Sequence, residues 1–139
     1  MAINSNEIEL QTDGEGDVID ITPSVTSFVA ERGIKYGLVN ISAIGSTCAI
    51  TTIEYEPGLK EDLFVALEKL APRNEEYEHH KRWGDFNGHS HVRASIIGGS
   101  ITIPIEDSKP VLGTWQQIVF VELDVGPRSR RIHLTAMGD

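Results

Sequence analysis

Four of the five histidines of this chain lie in one short segment, "HHKRWGDFNGHSH", residues 79 to 91. Imidazoles act as acid–base groups near neutral pH and are common metal ligands. His89 and His91 are two residues apart, so on an extended backbone both side chains project from the same face. His79 or His80, carried back by the loop, could be the third ligand, and we take His79, His89 and His91 as the predicted set for one divalent metal ion.

Other interpretations of this segment stay open at the level of sequence. Asp85 and Asn87 offer oxygen atoms that could bind the ion or orient an imidazole. A helix over residues 90–97 would splay the paired histidines apart. The segment could also be a solvated loop anchored by Trp83 and Phe86, or its protonated imidazoles could bind phosphate.

A second segment, "GPRSRR", brings three arginines together near the C-terminus. Arg128 and Arg130 are predicted to share one face of a strand, with Arg131 on the other. Two neighbouring guanidinium groups form a fork-shaped receptor for phosphate or carboxylate. The alternative is a charged edge strand whose arginines pair with Asp or Glu of this acidic chain.

Two further segments could complete a pocket for a small anionic molecule. In "LGTWQQ", Trp115 and Gln116 could form a pocket wall, although an ordinary core tryptophan fits equally well. In "GSTCA", Ser46 and Thr47 could cradle an anion through hydroxyl and backbone N–H groups. The segment lacks the lysine and the length of a P-loop.

Composition narrows the class of protein. A formal net charge of −9 argues against a nucleic-acid binder, because the chain has no broad cationic surface. The single cysteine, Cys48, excludes an internal disulfide framework and favours the cytoplasm. No signal peptide and no apolar run of about 20 residues is visible, so no membrane partner is expected.

The elements that must position these residues are mainly strands. Alternating or β-branched segments predict strands over residues 7–11, 18–21, 38–44, 49–55 and 100–107, followed by two more in "QQIVFVELD" and "SRRIHLTAM". Thr22-Pro23 and Pro57 open two amphipathic helices, which close at Gly33 and before Pro72. We therefore expect a single α+β domain over residues 1–139, with a mixed, mainly antiparallel sheet or sandwich flanked by two helices.

The order of three motifs resembles that of the YjbQ-like family, also called secondary thiamine-phosphate synthase enzymes. The motifs are "ITTIEYEPGLKEDL", then "YEHH" with "NGHSHVRASIIGGSITIPIED", then "LGTWQQIVFVELDVGPRSRR". The resemblance runs from about Val39 to the C-terminus. It implies a compact α+β fold that assembles as a homotrimer, and a weak thiamine-phosphate synthase activity.

That reaction joins a pyrimidine methyl diphosphate to a thiazole phosphate. It requires Mg²⁺ and cationic side chains around the diphosphate, for which Arg128 and Arg130 are the candidates, and an aromatic wall for the pyrimidine, for which Trp115 is the candidate. Imidazoles suit Zn²⁺ better than Mg²⁺, so Zn or Mg is the expected cofactor. Many relatives carry a histidine where this chain has Gly45 and an acidic residue where it has His89.

Two functions follow as hypotheses, beside a third interpretation as a purely structural trimer whose histidines line a subunit interface. The first is an enzyme acting on a small phosphorylated or otherwise anionic metabolite, with His79, Asn87 and His91 as the catalytic residues. The second is a non-catalytic trimeric protein that binds a metal or small ligand. The sequence leaves open whether the pocket lies within one subunit or between two.

Overall fold

The structure is a computed structural model that describes residues 1–139 except for the side chain of Trp83, so the predicted anchoring role of Trp83 lies outside the described residues. Eight strands and four helices are present in the described chain. They are β1 (Ala2–Thr12), β2 (Val18–Asp20), α1 (Thr22–Arg32), β3 (Gly37–Ile44), β4 (Cys48–Ile53), α2 (Pro57–Leu70), α3 (Glu78–Trp83), α4 (Gly88–Ile97), β5 (Ser100–Glu106), β6 (Lys109–Pro110), β7 (Gln117–Glu122) and β8 (Arg128–Gly138).

The strands form two sheets in which every pairing is antiparallel. The larger sheet has the order β1-β8-β3-β5-β6 and the smaller one the order β2-β7-β4. The first residue of β4, Cys48, pairs with the last residue of β7, Glu122. The last residue of β4, Ile53, pairs with the first residue of β7, Gln117. This register places the end of β7 beside the turn that joins β3 to β4.

The apolar run of β7 explains how the layers stack. Its alternate residues Ile118 and Phe120 pack towards the larger sheet and α1, whereas Val119 and Val121 pack on the other side with α2 and α4. A strand buried on both faces requires a nearly continuous apolar sequence, and "IVFV" provides it. The small sheet is thus the middle layer between the large sheet and two helices.

The predicted α+β class, with its mainly antiparallel sheet, is confirmed. The two predicted helices are α1 and α2, and Gly33 takes the left-handed conformation at the end of α1 with φ 67°. The extended backbone predicted for His89 and His91 is wrong, because both residues lie in the helix α4, Gly88–Ile97. Ala94 and Ile97 of α4 pack against the small sheet, and this helical spacing outweighs the local His-x-His pattern.

In the described part of the chain, no helix has both the length and the apolar content that crossing a membrane would require.

Candidate functional site

Two carboxylates end the apolar strand β7 and are buried at one end of the sandwich. Glu122 has no exposed surface and Asp124 is 3% exposed. Thr12 Oγ1, at the end of β1, donates to Glu122 Oε1 over 2.7 Å. Arg130 Nε donates to the same oxygen over 2.8 Å, and its Nη2 donates to Oε2. Burial opposes ionisation of Glu122, but these bonds outweigh it and lower its pKa.

Asp124 collects donors from three other segments. Burial disfavours its charge, yet hydrogen bonds from Arg128, the Val125 N–H, Asn87 and Thr47 lower its pKa to about 2. Thr47 Oγ1 donates to Oδ2 over 3.0 Å, and Asn87 Nδ2 to Oδ1 over 3.3 Å. Asp124 therefore holds β8, the β3–β4 turn and the start of α4 together as a carboxylate at neutral pH.

The arginines follow the predicted faces, because Arg128 and Arg130 both turn towards β7 while Arg131 approaches Glu7. Each of the first two is already paired with a carboxylate, as the alternative interpretation of this segment expected. Arg130 is 7% exposed, whereas the side chain of Arg128 is 52% exposed. A ligand therefore meets two guanidinium groups whose charge is largely compensated.

His79 and His91 are brought together by α3 and α4. Their ring centroids are 4.6 Å apart, and His79 Nδ1 lies 3.3 Å from Asp85 Oδ1. Burial lowers the pKa of His91, and the neighbouring His79 lowers it further. The charges of Asp124 and Arg128 also act on this imidazole. His91 is thus a half-buried imidazole near Arg128 and Asp124, and its lowered pKa favours the neutral form at pH 7.

His89 faces a different part of the protein. It is completely buried on α4, and its Nε2 lies 2.6 Å from Glu15 Oε1 in the β1–β2 turn. Because α4 is helical, residues 89 and 91 point in different directions. The three histidines predicted as metal ligands therefore do not converge. Among the described residues, no group of three or more His, Cys, Asp or Glu side chains is arranged to hold a metal ion.

An open cleft of about 450 Å³ lies beside His91. Most of its lining residues are small, which lets a ligand approach the backbone closely. They come from the β3–β4 turn and the start of β4, and from α4 with the two glycines that follow it: Gly45, Ser46, Cys48, His91, Ala94, Ser95, Gly98 and Gly99. The predicted anion-binding Ser46 is exposed at this cleft, whereas Thr47 is buried and bound to Asp124 and Arg130.

Trp115 and Gln116 lie at the opposite end of the small sheet. Gln116 Nε2 donates to Thr52 Oγ1 near the far end of β4, four residues and about 13 Å along the strand from Cys48 at the cleft, at 3.3 Å per residue. Trp115 is 73% exposed. Both residues were predicted to form the pocket wall, and within one chain they do not reach this cleft.

Sequence reasoning missed Glu122, Asp124 and Glu15. The signal was present for the first two, since acidic residues at the end of the apolar run "IVFVELD" require buried partners. Glu15 stands in the turn "DGEGD", whose composition indicates only a solvated loop.

Fold and site together define a small α+β sandwich protein with an acid–base cluster and a cleft at one end of its sheets. The model of the family described as "UPF0047 protein YjbQ-like" matches residues 6–139. The chain belongs to this family.

Among its relatives, a UPF0047 protein of Methanothermobacter thermautotrophicus is 39% identical over 138 residues, covering 99% of this chain and 94% of the relative. One of Archaeoglobus fulgidus is 39% identical over 131 residues, covering 94% of this chain and 99% of the relative.

Solved structures carry the same fold. A YbjQ-like protein of unknown function from Sulfolobus solfataricus superposes with a TM-score of 0.89 at 30% identity, over 99% of this chain and all of that one. A hypothetical protein from Aeropyrum pernix superposes with a TM-score of 0.85 at 32% identity, over 96% of this chain and 99% of that one.

Proposed function

We propose that the protein is an enzyme acting on a small anionic metabolite that binds in the cleft beside His91. One observation carries this proposal: a half-buried imidazole with a lowered pKa lines an open cleft of about 450 Å³. Neutral imidazole at neutral pH is the form that accepts a proton from a bound molecule. Perturbed titratable groups in clefts are typical of functional sites.

The neighbours of His91 have supporting roles in this proposal. His79 contacts its ring and, with Asp85, limits its orientation. Asn87 fixes the start of α4 through Asp124. Arg128 binds Asp124 through Nε and Nη2, and its half-exposed guanidinium remains accessible to the anionic part of a ligand. His91 transfers the proton, while Arg128 and the cleft position the substrate.

A ligand screen tests this proposal. Inorganic phosphate, phosphate monoesters and small carboxylates are added to the wild type and to His91→Ala, and binding is measured by calorimetry. We expect at least one saturable ligand, and a loss of turnover in the variant. His133→Ala is the matched control, because His133 lies on β8 with its side chain 43% exposed. Equal behaviour of the two variants would contradict the role of His91.

The specific reaction to assay is thiamine-phosphate synthesis, which the family resemblance suggests. Phosphorylated pyrimidine and thiazole substrates are supplied with Mg²⁺, and release of diphosphate is followed. Turnover that disappears in Arg128→Ala would support a phosphorylated substrate. No turnover would leave a different anionic substrate for the same cleft.

A second candidate is a non-catalytic protein that binds a metal or a small ligand. The close pair of imidazoles, His79 and His91, favours it. Elemental analysis of untagged protein, beside the His79→Ala/His91→Ala double variant, tests the metal. Near-stoichiometric zinc that is lost in the double variant would support this candidate, and equal trace amounts would contradict it.

Assembly as a homotrimer belongs to the same proposal, in a reducing cytoplasm where Cys48 stays a free thiol. The exposed Trp115, too far from the cleft of its own chain, could reach that of a neighbouring copy. Light scattering coupled to size exclusion measures the mass. A trimer that dissociates in Trp115→Ala would support this arrangement, and a monomeric wild type would exclude it.

A further inference from the structure

The turn from β3 to β4 lies directly beside the buried guanidinium of Arg130. Gly45 begins this turn with φ 151°, in a region that side chains rarely adopt. A β-carbon on Gly45 would lie 2.8 Å from Arg130 Nη1 and 3.0 Å from Cys48 Sγ. Gly45, which itself lines the cleft, therefore packs its backbone closely against this guanidinium, and a side chain at this position would collide with Nη1.

The bonds of Arg130 leave one nitrogen available at this place. Nε and Nη2 donate to the two oxygens of Glu122, and Nη2 also contacts Thr47 O and Oγ1. These bonds fix the guanidinium plane without using Nη1. A buried donor with a fixed direction is already organised for an acceptor and loses little entropy on binding.

We propose that Gly45 opens an oxygen-binding subsite in which Arg130 Nη1 donates to the carboxylate of a small monoanionic ligand. This inference rests on the proposed function, since it assigns one end of the ligand in the same cleft. Ser46 stands beside Gly45 at the cleft and can donate its hydroxyl to the second oxygen. His91, on the other side of the cleft, faces the remainder of the ligand.

The surrounding charges select a carboxylate over a phosphate dianion. Glu122 compensates Arg130, Asp124 compensates Arg128, and the whole chain carries a formal charge of −9. No cation among the side chains described at this subsite is left uncompensated for a second negative charge. A monoanion gains the directed N–H bond and meets less repulsion than a dianion.

The experiment is an NMR titration of ¹⁵N-labelled protein with sodium acetate and, separately, with inorganic phosphate at matched ionic strength. The reporters are the backbone N–H of Gly45 and Ser46 and the Nε–H of Arg130. We expect saturable shifts with acetate, and affinity for phosphate weaker by about tenfold. In Gly45→Ala, whose methyl group covers Nη1, the acetate shifts of Ser46 and Arg130 should disappear.

Two further variants keep the outcomes separate. Gly33→Ala also places alanine at a positive φ, but with open space around the glycine, and should bind acetate as the wild type does. His91→Ala should still bind acetate at Arg130, even if all turnover is lost. Acetate shifts that persist in Gly45→Ala, or that are absent in the wild type, would overturn the subsite.

Phosphate that binds at His91 and Arg128 while acetate fails would overturn the subsite and leave the proposed function intact. If acetate binds at Arg130 but no variant of His91 alters turnover, the subsite stands and the catalytic proposal fails.

Discussion

Arg130 and Glu122 form a two-point ion pair in the interior, with Arg130 Nε 2.8 Å from Glu122 Oε1 and Nη2 bonded to the second oxygen. Glu122 has no exposed surface, so both charges have lost most of their hydration. The attraction between the two charges offsets this lost hydration only when both partners are present and their hydrogen bonds are formed. The cleft residue Gly45 therefore lies beside an ion pair that is already formed in the folded protein without a ligand.

Removing one partner of this pair should destabilise the fold strongly. Arg130→Met leaves Glu122 buried without its counter-ion, and we expect a loss of about 3–5 kcal/mol in the free energy of unfolding. The double variant Glu122→Gln/Arg130→Met should lose less, because no uncompensated charge remains. Urea unfolding of both variants and the wild type measures this. A double variant that is less stable than Arg130→Met would contradict the interpretation.

Asp124 should make the protein sensitive to acid. Its pKa falls from 3.8 to about 2 on folding, so the unfolded state binds protons first as the pH drops. Its contribution, roughly 2 kcal/mol, is complete above pH 4 and is lost between about pH 4 and pH 2. Chemical unfolding across this range measures the loss. Asp124→Asn should show a shallower dependence on pH, and an unchanged slope would contradict the assignment.

His89 should act as a structural residue that ties α4 to the β1–β2 turn. His89→Ala leaves a cavity in a fully buried position and removes the partner of Glu15 Oε1, so we expect a loss of about 2–4 kcal/mol. His133→Ala, at a half-exposed position, should change stability by less than about 0.5 kcal/mol. Thermal unfolding of both variants compares them. Equal melting temperatures would refute the structural role.

The sequence predicted the layers better than the contacts at the site. Strand periodicity identifies the β-strands, Gly33 marks the end of α1 and Pro57 marks the start of α2, because these signals are local. The helical state of His89 depends on how Ala94 packs against the small sheet, a contact that the His-x-His spacing does not contain. The pairing of His89 with Glu15 likewise joins segments 74 residues apart. Residue types could therefore identify His91 and Arg128, but only the fold shows which partners they have.

His91 should titrate below the ordinary histidine value of 6.5, because burial and the neighbouring His79 both disfavour its charged form. His79→Gln removes the second cause and should raise the pKa of His91, whereas Asp85→Asn removes a nearby carboxylate and should lower it. An NMR titration of the His91 ring in the three proteins measures these shifts. Since the neutral ring is the proposed base, turnover should be retained at pH 7 and decrease as the pH falls through the pKa of His91. A midpoint at or above 6.5 in the wild type, or shifts of the same sign in both variants, would contradict this account of the site.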